Sequence, residues 1–248
     1  MSLKESLRKR PFIVSAYTKM TQACQRVKCT VGNFFARRTH LYFSVYKNEI
    51  DSTAKIDPTA WVAPKGVRIG KRCVVGPHAV ILEKTVLEDD VVIGAGSVVS
   101  SDGFVARKFG SKTVMVIHVG GVRIRSRTTV GAKCGIDKAT NKTWTEIGED
   151  SIIGELVHVA HNVKLGSRNQ IASEVMIAGH VETGSDVQMG ENASITDSIR
   201  IGNHAWIAPG AVVTQDVQDH ARLAGNFAID EQKYRAYALK IARGTEKQ

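Results

Sequence analysis

An all-β solenoid of short stacked strands is the fold class this sequence predicts, and three observations carry that expectation. From Ile147 onward every sixth residue reads Ile147, Ile153, Val159, Leu165, Ile171, Ile177, Thr183, Met189, Ile195, Ile201, Ile207 and Val213, with Thr183 alone not aliphatic. Glycine follows that position at 148, 154, 166, 184, 190 and 202. The same frame runs earlier through Ile69, Val75, Ile81, Leu87, Ile93 and Val99, and after an interruption through Ile124, Val130 and Ile136. Helical side chains recur at about 3.6 residues, so a period of six fits no helix. Six is even, so every repeated residue lies on the same side of a short strand, and glycine is expected to ease the tight bend that ends it. Stacked rungs would pair their backbones about 4.8 Å apart and align like residues into apolar columns.

The elements follow in chain order, beginning with a basic segment at 1–50. It carries ten Lys or Arg against Glu5 and Glu49, so +8 of the formal net charge of +10 lies in the first fifth of the chain. Ile13, Tyr17, Met20, Cys24, Val27 and Val31 recur at spacings of three and four, which predicts an amphipathic helix from about Pro11 to Cys29 flanked by Lys19, Arg26 and Lys28. With Phe34, Phe35, Tyr42, Phe43 and Tyr46 behind it, such a helix suits an anionic membrane surface, an acidic protein, or packing on the body or a neighbouring subunit. The solenoid is expected over 51–222 and a C-terminal capping loop and helix over 223–248. Residues 100–121, "SSDGFVARKFGSKTVMVIHVGG", break the register and are read as a loop pushed out of the wall.

Composition excludes several classes. At 43% hydrophobic and 23% charged the chain is globular, and no uninterrupted apolar run reaches the roughly 18 residues a membrane helix needs. Its N-terminus has no signal-peptide pattern, so a cytoplasmic protein is expected, with the basic segment able to hold it at the inner membrane surface. Cys24, Cys29, Cys73 and Cys134 form no C-x-x-C pair, so reduced thiols are expected. No two of the eight histidines are five residues apart, the spacing a zinc-dependent γ-type carbonic anhydrase would need, and no metal site is expected.

The stretches "IDPTAWV" (56–62) and "IGKRCVVGPHAVI" (69–81) resemble the opening of hexapeptide-repeat acyltransferases. That resemblance implies a left-handed parallel β-helix of 18-residue triangular coils and a homotrimer with active sites between subunits. "SDGF" (101–104), "VGAKCGIDKAT" (130–140) and "HVAHNVKLG" (158–166) occur in the order found in the UDP-3-O-acylglucosamine N-acyltransferases of lipid A synthesis, and the likeness continues to the tail "LAGNFAIDEQKYRAYALKIA" (223–242).

Several roles follow from this resemblance. The His of the A-H-N motif, His161, would be the general base. One 18-residue coil further on stands Gly179, whose backbone N–H would serve the oxyanion, followed by His180. Asp102, Gly103, Phe104, Asp137, His158, Asn162 and His180 would contact substrate, with His158 pointing outward because Val157 and Val159 take the inward parity. Asn226, Lys233 and Arg235 of the tail would meet the donor. The donor would be acyl carrier protein or coenzyme A thioester, both anionic. The acceptor would be an amino or hydroxyl group of a nucleotide-linked sugar, with no bound cofactor and no nucleic acid.

Departures limit the match. The basic segment 1–50 does not have the pattern of the family's uridine-binding domain. Gly154 and Glu155 stand where the family has an Asp-Asn pair, and Asp197 and Ser198 where it has a second His. Glu155 is read as a solvated turn residue. Two other readings compete: a small-acyl sugar O-acetyltransferase, and a non-catalytic scaffold in which losing His161 would change only stability.

Overall fold

The computed structural model describes residues 47–225, 231–233 and 239. Strands of two to four residues stack into three parallel sheets. The first face holds eight strands, from Glu49–Ile50 to Arg200–Ile201; the second nine, from Lys55–Ile56 to Arg222–Leu223; the third eight, from Trp61–Val62 to Val212–Val213. The chain visits the faces in turn, as in Lys164–Leu165, Gln170–Ile171 and Met176–Ile177, and each strand pairs with the one a coil later, for example His158 with Met176 and Val159 with Ile177. This is a left-handed parallel β-helix. Residues 231–233 and 239 are helical, whereas the basic segment up to residue 46, Asn226 and Arg235 lie outside the described residues.

The period-six residues form the core. Ile69, Ile81, Leu87, Ile93, Ile136, Ile153 and Ile177 are each at most 1% exposed, and the residues two before them, among them Val157, Val175 and Val187, are buried beside them. Fully burying each aliphatic side chain stabilises by roughly 1.5–3 kcal/mol. Cys73 and Cys134 sit in this core as free thiols donating to the carbonyls of Glu88 and Gly154.

Thr183, the one break in the aliphatic series, answers a buried asparagine. The Asn169 side chain, fully enclosed, donates from Nδ2 to Thr183 Oγ1 at 2.8 Å and to the carbonyls of Gly166 and Gly184. Its Oδ1 accepts from the Val187 N–H at 2.8 Å. A buried amide is tolerated only when satisfied, and a threonine in the column supplies the missing acceptor. Asn169→Ala is expected to strand the Val187 N–H and lower the unfolding free energy by about 2 kcal/mol in urea titration.

The glycines do a different job from the one the period suggests. The left-handed backbone falls three residues after the inward aliphatic, mostly on residues with side chains: Asp150 (φ 57°), Leu156 (58°), Asn162 (61°), Arg168 (57°) and His180 (59°). Glycine directly after the aliphatic is required by stacking instead. A Cβ at Gly154 would stand 2.7 Å from the Ser173 nitrogen and 2.8 Å from the Ala172 carbonyl carbon of the next coil.

Two insertions leave the wall, and both leave it between the third and first faces. The first carries an antiparallel hairpin, Ala106–Phe109 with Lys112–Met115. The second, 138–143, separates Asp137 from Trp144; eleven residues part Ile136 from Ile147 where six would continue the frame. They are joined to each other: Gly120 N donates to Ala139 O at 2.9 Å and Gly121 N to Thr143 O at 3.1 Å.

Candidate active site

Five successive coils meet at that one corner. From below they contribute the first insertion, the second insertion, His161 with Asn162, Gly179 with His180, and Asp197 with Ser198. The corner is fastened along its length, since His180 N donates to His161 O at 3.0 Å and Ser198 N to Gly179 O at 2.9 Å.

Asn162 organises the corner. Its Oδ1 accepts from Thr140 N at 3.0 Å and Thr140 Oγ1 at 2.8 Å, and its Nδ2 donates to Asn141 Oδ1 at 3.0 Å and Thr143 Oγ1 at 3.2 Å. The side chain thus clamps the second insertion. Because a backbone N–H must donate, the atom facing Thr140 is the oxygen, and that same oxygen lies 3.3 Å from His161 Nδ1. An oxygen there accepts only, so a neutral His161 ring facing it carries its proton on Nδ1 and has its lone pair on Nε2.

The Cε1–Nε2 edge of the ring stands over Gly179, with Cε1 the nearer atom. A Cβ built on Gly179 would lie 2.8 Å from His161 Nε2 and 2.9 Å from Asp197 Oδ1, so the absent side chain leaves a notch floored by backbone and walled by an imidazole and a carboxylate. Among the described residues the Gly179 N–H has no hydrogen-bond partner. His161 itself is 9% exposed and sits between two other imidazoles, its ring edge-on to His118 at 5.4 Å and to His180 at 5.2 Å.

The other sequence-derived candidates fall into two groups. Asp137 is buried, accepts from Ser101 Oγ at 2.7 Å and pairs with His158 Nε2 at 3.3 Å, while His158 stands half-exposed on the outside of the third face, as its parity required. Asp102, at the root of the first insertion, pairs with the buried Lys138 at 3.1 Å, and Gly103 lies against Asp137, where a Cβ would be 2.6 Å from Oδ2. Phe104 projects, 81% exposed, and Lys233 is exposed on the helical 231–233 stretch. Glu155 is exposed; it is Asn162, one residue along, that touches the His161 ring.

Sequence reasoning passed over His118 and Lys138. His118 is fully buried with Nδ1 on the Val116 carbonyl at 3.1 Å, and Lys138 reaches Asp102. Neither belongs to the period-six frame; only the broken register marked their neighbourhood. Burial pushes the His118 pKa down, outweighing the nearby Asp102 carboxylate that favours the charged ring. Among the described residues no group of three or more His, Cys, Asp or Glu side chains is arranged to hold a metal ion, and no helix is long and apolar enough to cross a membrane.

The Asp137–His158 pair makes stability depend on pH. Burial raises the Asp137 pKa, but hydrogen bonds from His158 and Ser101 outweigh it and leave the carboxyl below its ordinary value; the same contact with Asp137 raises His158. The carboxylate's contribution is present above the unfolded pKa of about 3.8 and lost as pH falls through its folded value. The imidazole's is present below about 6.5 and lost as pH rises through its folded value. Asp137→Asn is therefore expected to cost most between about pH 4 and 6.5, on the order of 1 kcal/mol after allowing for the half-exposed imidazole, and less at pH 8. Chemical denaturation across that range measures it, and a difference that does not vary with pH would remove the linkage.

Known proteins share the repeat and the fold. The family model described as "Bacterial transferase hexapeptide (six repeats)" matches residues 66–101 and 145–179. The UDP-3-O-acylglucosamine N-acyltransferase 1 of Gloeobacter violaceus is 45% identical over 151 residues, which is 61% of this chain and 43% of that protein. The UDP-3-O-acylglucosamine N-acyltransferase of Helicobacter pylori strain J99 is 40% identical over 94 residues, 38% of this chain and 28% of that protein. The chain thus spans less than half the length of these curated relatives. Among solved structures, the UDP-N-acetylglucosamine acyltransferase from Campylobacter jejuni superposes with a TM-score of 0.56 at 22% identity, covering 75% of this chain and 83% of that one. The Francisella novicida UDP-N-acetylglucosamine acyltransferase gives 0.56 at 23% identity, covering 77% and 71%. Both share the fold. The chain carries the bacterial transferase hexapeptide repeat on a left-handed parallel β-helix and is similar along that β-helix to the UDP-3-O-acylglucosamine N-acyltransferases.

Proposed function

We propose that the protein is an acyltransferase that moves an acyl group from an acyl carrier protein or acyl-CoA thioester to a nucleotide-linked sugar, in cell-envelope polysaccharide or lipid A-like synthesis. The observation that carries this reading is the Cε1–Nε2 edge of His161 set over the Gly179 notch, with Nδ1 turned to the Asn162 oxygen. His161 takes the proton of the attacking group as it bonds to the thioester carbonyl carbon, and the Gly179 N–H donates to the oxygen that becomes negative. Collapse breaks the C–S bond, and the imidazolium returns its proton to the departing thiolate. Asn162 keeps the ring in the tautomer this requires. In this reading Asp102, Gly103, Phe104, Asp137, His158, Asn162 and His180 serve substrate binding, and Asn226, Lys233 and Arg235 of the tail serve the donor. The thioester enters as a co-substrate. The working unit is a homotrimer in the cytoplasm, whose basic residues 1–50 suit packing on the body or a neighbouring subunit, or contact with an anionic membrane surface.

Purified protein is to be incubated with acetyl-CoA, longer acyl-CoAs and acyl carrier protein thioesters, each against UDP- and dTDP-amino sugars and their hydroxyl counterparts, with products read by mass spectrometry. An acylated sugar made by wild type and lost in His161→Ala supports the reading. Equal product from both proteins sinks His161 as base, and no product with any donor leaves the scaffold reading in its place.

A further inference from the structure

We infer that the cleft on the first face, beside the two insertions, binds a single-chain amphiphile with a phosphate head. The inference is independent of the acyl-transfer reading, since no catalytic or substrate residue of that reading lines the cleft. The cleft encloses about 540 Å³, within the roughly 300–1,000 Å³ of small-molecule sites. Its floor is apolar. Val86 and Val119 stand half-buried in it, and Trp144 lies over Gly121, where a Cβ would come 2.6 Å from the indole ring. The missing side chain at 121 is what lets the indole lie down as a wall of the cleft.

The rim is cationic. Lys47, Arg68, Lys84, Arg123 and Lys142 line the cleft against one carboxylate, Glu49, which Arg68 takes up at 2.7 Å. The Lys84 Nζ donates to the Val119 carbonyl at 3.0 Å, and Arg123 lies over the Trp144 ring at 4.6 Å and reaches Glu146 at 3.4 Å. The exposed Lys47 and Lys142 have no ion-pair partner among the described residues. Cations gathered without matching carboxylates repel one another, and an anion relieves that repulsion. The floor adds a second requirement, an apolar chain attached to the anion. Phosphate suits the head better than carboxylate, because it carries nearly two charges at pH 7 and three acceptor oxygens for several donors. Residues 1–46 make a poor occupant on the same ground, with nine Lys or Arg against Glu5. An occupant would also steady the second insertion, since Thr143 lines the cleft and its Oγ1 accepts from Asn162 Nδ2 at 3.2 Å.

The test titrates the full chain with alkyl phosphates from butyl to decyl, each below its micelle concentration, and reads tryptophan fluorescence. A saturable change is expected that Trp144→Phe abolishes, since Trp61 and Trp206 stand on the other two faces. Affinity should rise about fourfold per added methylene until the floor is covered, and fall about fivefold in Lys142→Gln and in Lys47→Gln. Decanoate should bind more weakly than decyl phosphate, and raised salt should weaken both. Amide exchange over 138–143 should slow on binding. If inorganic phosphate displaces decyl phosphate at equal concentration, or if chain length has no effect, the cleft holds an anion without a chain and the inference falls. Unchanged affinity in both lysine variants would mark nonspecific apolar binding and overturn it as well. Shielding of Trp144 from acrylamide before any ligand is added would mean that residues 1–46 already fill the cleft, or a second copy if the shielding grows with protein concentration; either result overturns it. Displacement by coenzyme A or UDP at concentrations comparable to the amphiphile would return the cleft to the acyl-transfer site. Acyl transfer itself is read by its products, so each of these failures leaves that reading standing.

Discussion

His161→Ala is expected to lower kcat/KM for acyl transfer by about 100-fold or more while leaving the protein folded. That factor corresponds to about 2.7 kcal/mol of transition-state stabilisation. The expectation depends on a chain of hydrogen bonds rather than on the presence of a histidine. The Thr140 N–H fixes which end of the Asn162 amide is oxygen, that oxygen fixes the proton of the neutral His161 ring on Nδ1, and the lone pair is thereby left on Nε2, on the ring edge above Gly179. Removing the ring empties a nearly enclosed site between His118 and His180, so a moderate loss of stability is also expected and must be separated from the loss of rate. Two measurements separate them. Urea denaturation gives the stability change, and imidazole added to the assay should restore part of the variant's rate, because a missing base can be replaced from solution and a collapsed site cannot. A variant with the wild-type rate would remove His161 from the mechanism, and a slow variant that imidazole does not rescue would reassign the ring to structure.

The solenoid was legible because a period of six is enforced by geometry: the repeated aliphatic residues from Ile69 to Val213 are each at most 4% exposed. The same rule places His158 on the outside of the wall. What the period cannot express is whatever leaves the wall. The second insertion was visible only as a gap between Ile136 and Ile147, and His118 and Lys138 stand on the insertions, where no column constrains them. Thr183 looked like an imperfection in an aliphatic series, and its reason, Asn169, lies in the coil before it, at a distance that pattern reading along one column does not connect. His161 was found by resemblance rather than by pattern. Its parity gave no chemistry, and the features that make it a base, the Asn162 oxygen and the bare Gly179 notch, exist only once successive coils are stacked.

Gly154→Ala tests the stacking argument against the bend argument, because the two assign opposite roles to the same glycines. If glycine after the aliphatic served a left-handed bend, alanine there would cost about 1 kcal/mol, the ordinary penalty for that backbone. Steric crowding predicts more. The new methyl would meet Ser173 N at 2.7 Å, Ala172 C at 2.8 Å and Ser173 Oγ at 3.0 Å, and the first two are backbone atoms of a paired rung that cannot turn aside. Relief requires lengthening the Gly154 N–H to Ile171 O bond of 2.7 Å and the Glu155 N–H to Ser173 Oγ bond of 3.2 Å. A cost of about 3 kcal/mol or more is expected, with amide exchange accelerated first in the coils on either side, since each coil touches only its neighbours. Gly210 is the control: it does hold a left-handed φ of 67° with nothing within 4 Å of its Cβ position, so Gly210→Ala should cost about 1 kcal/mol. Equal losses at the two positions would mean that rungs move apart freely, and the one-residue precision with which the corner sets His161 over Gly179 would then need another source.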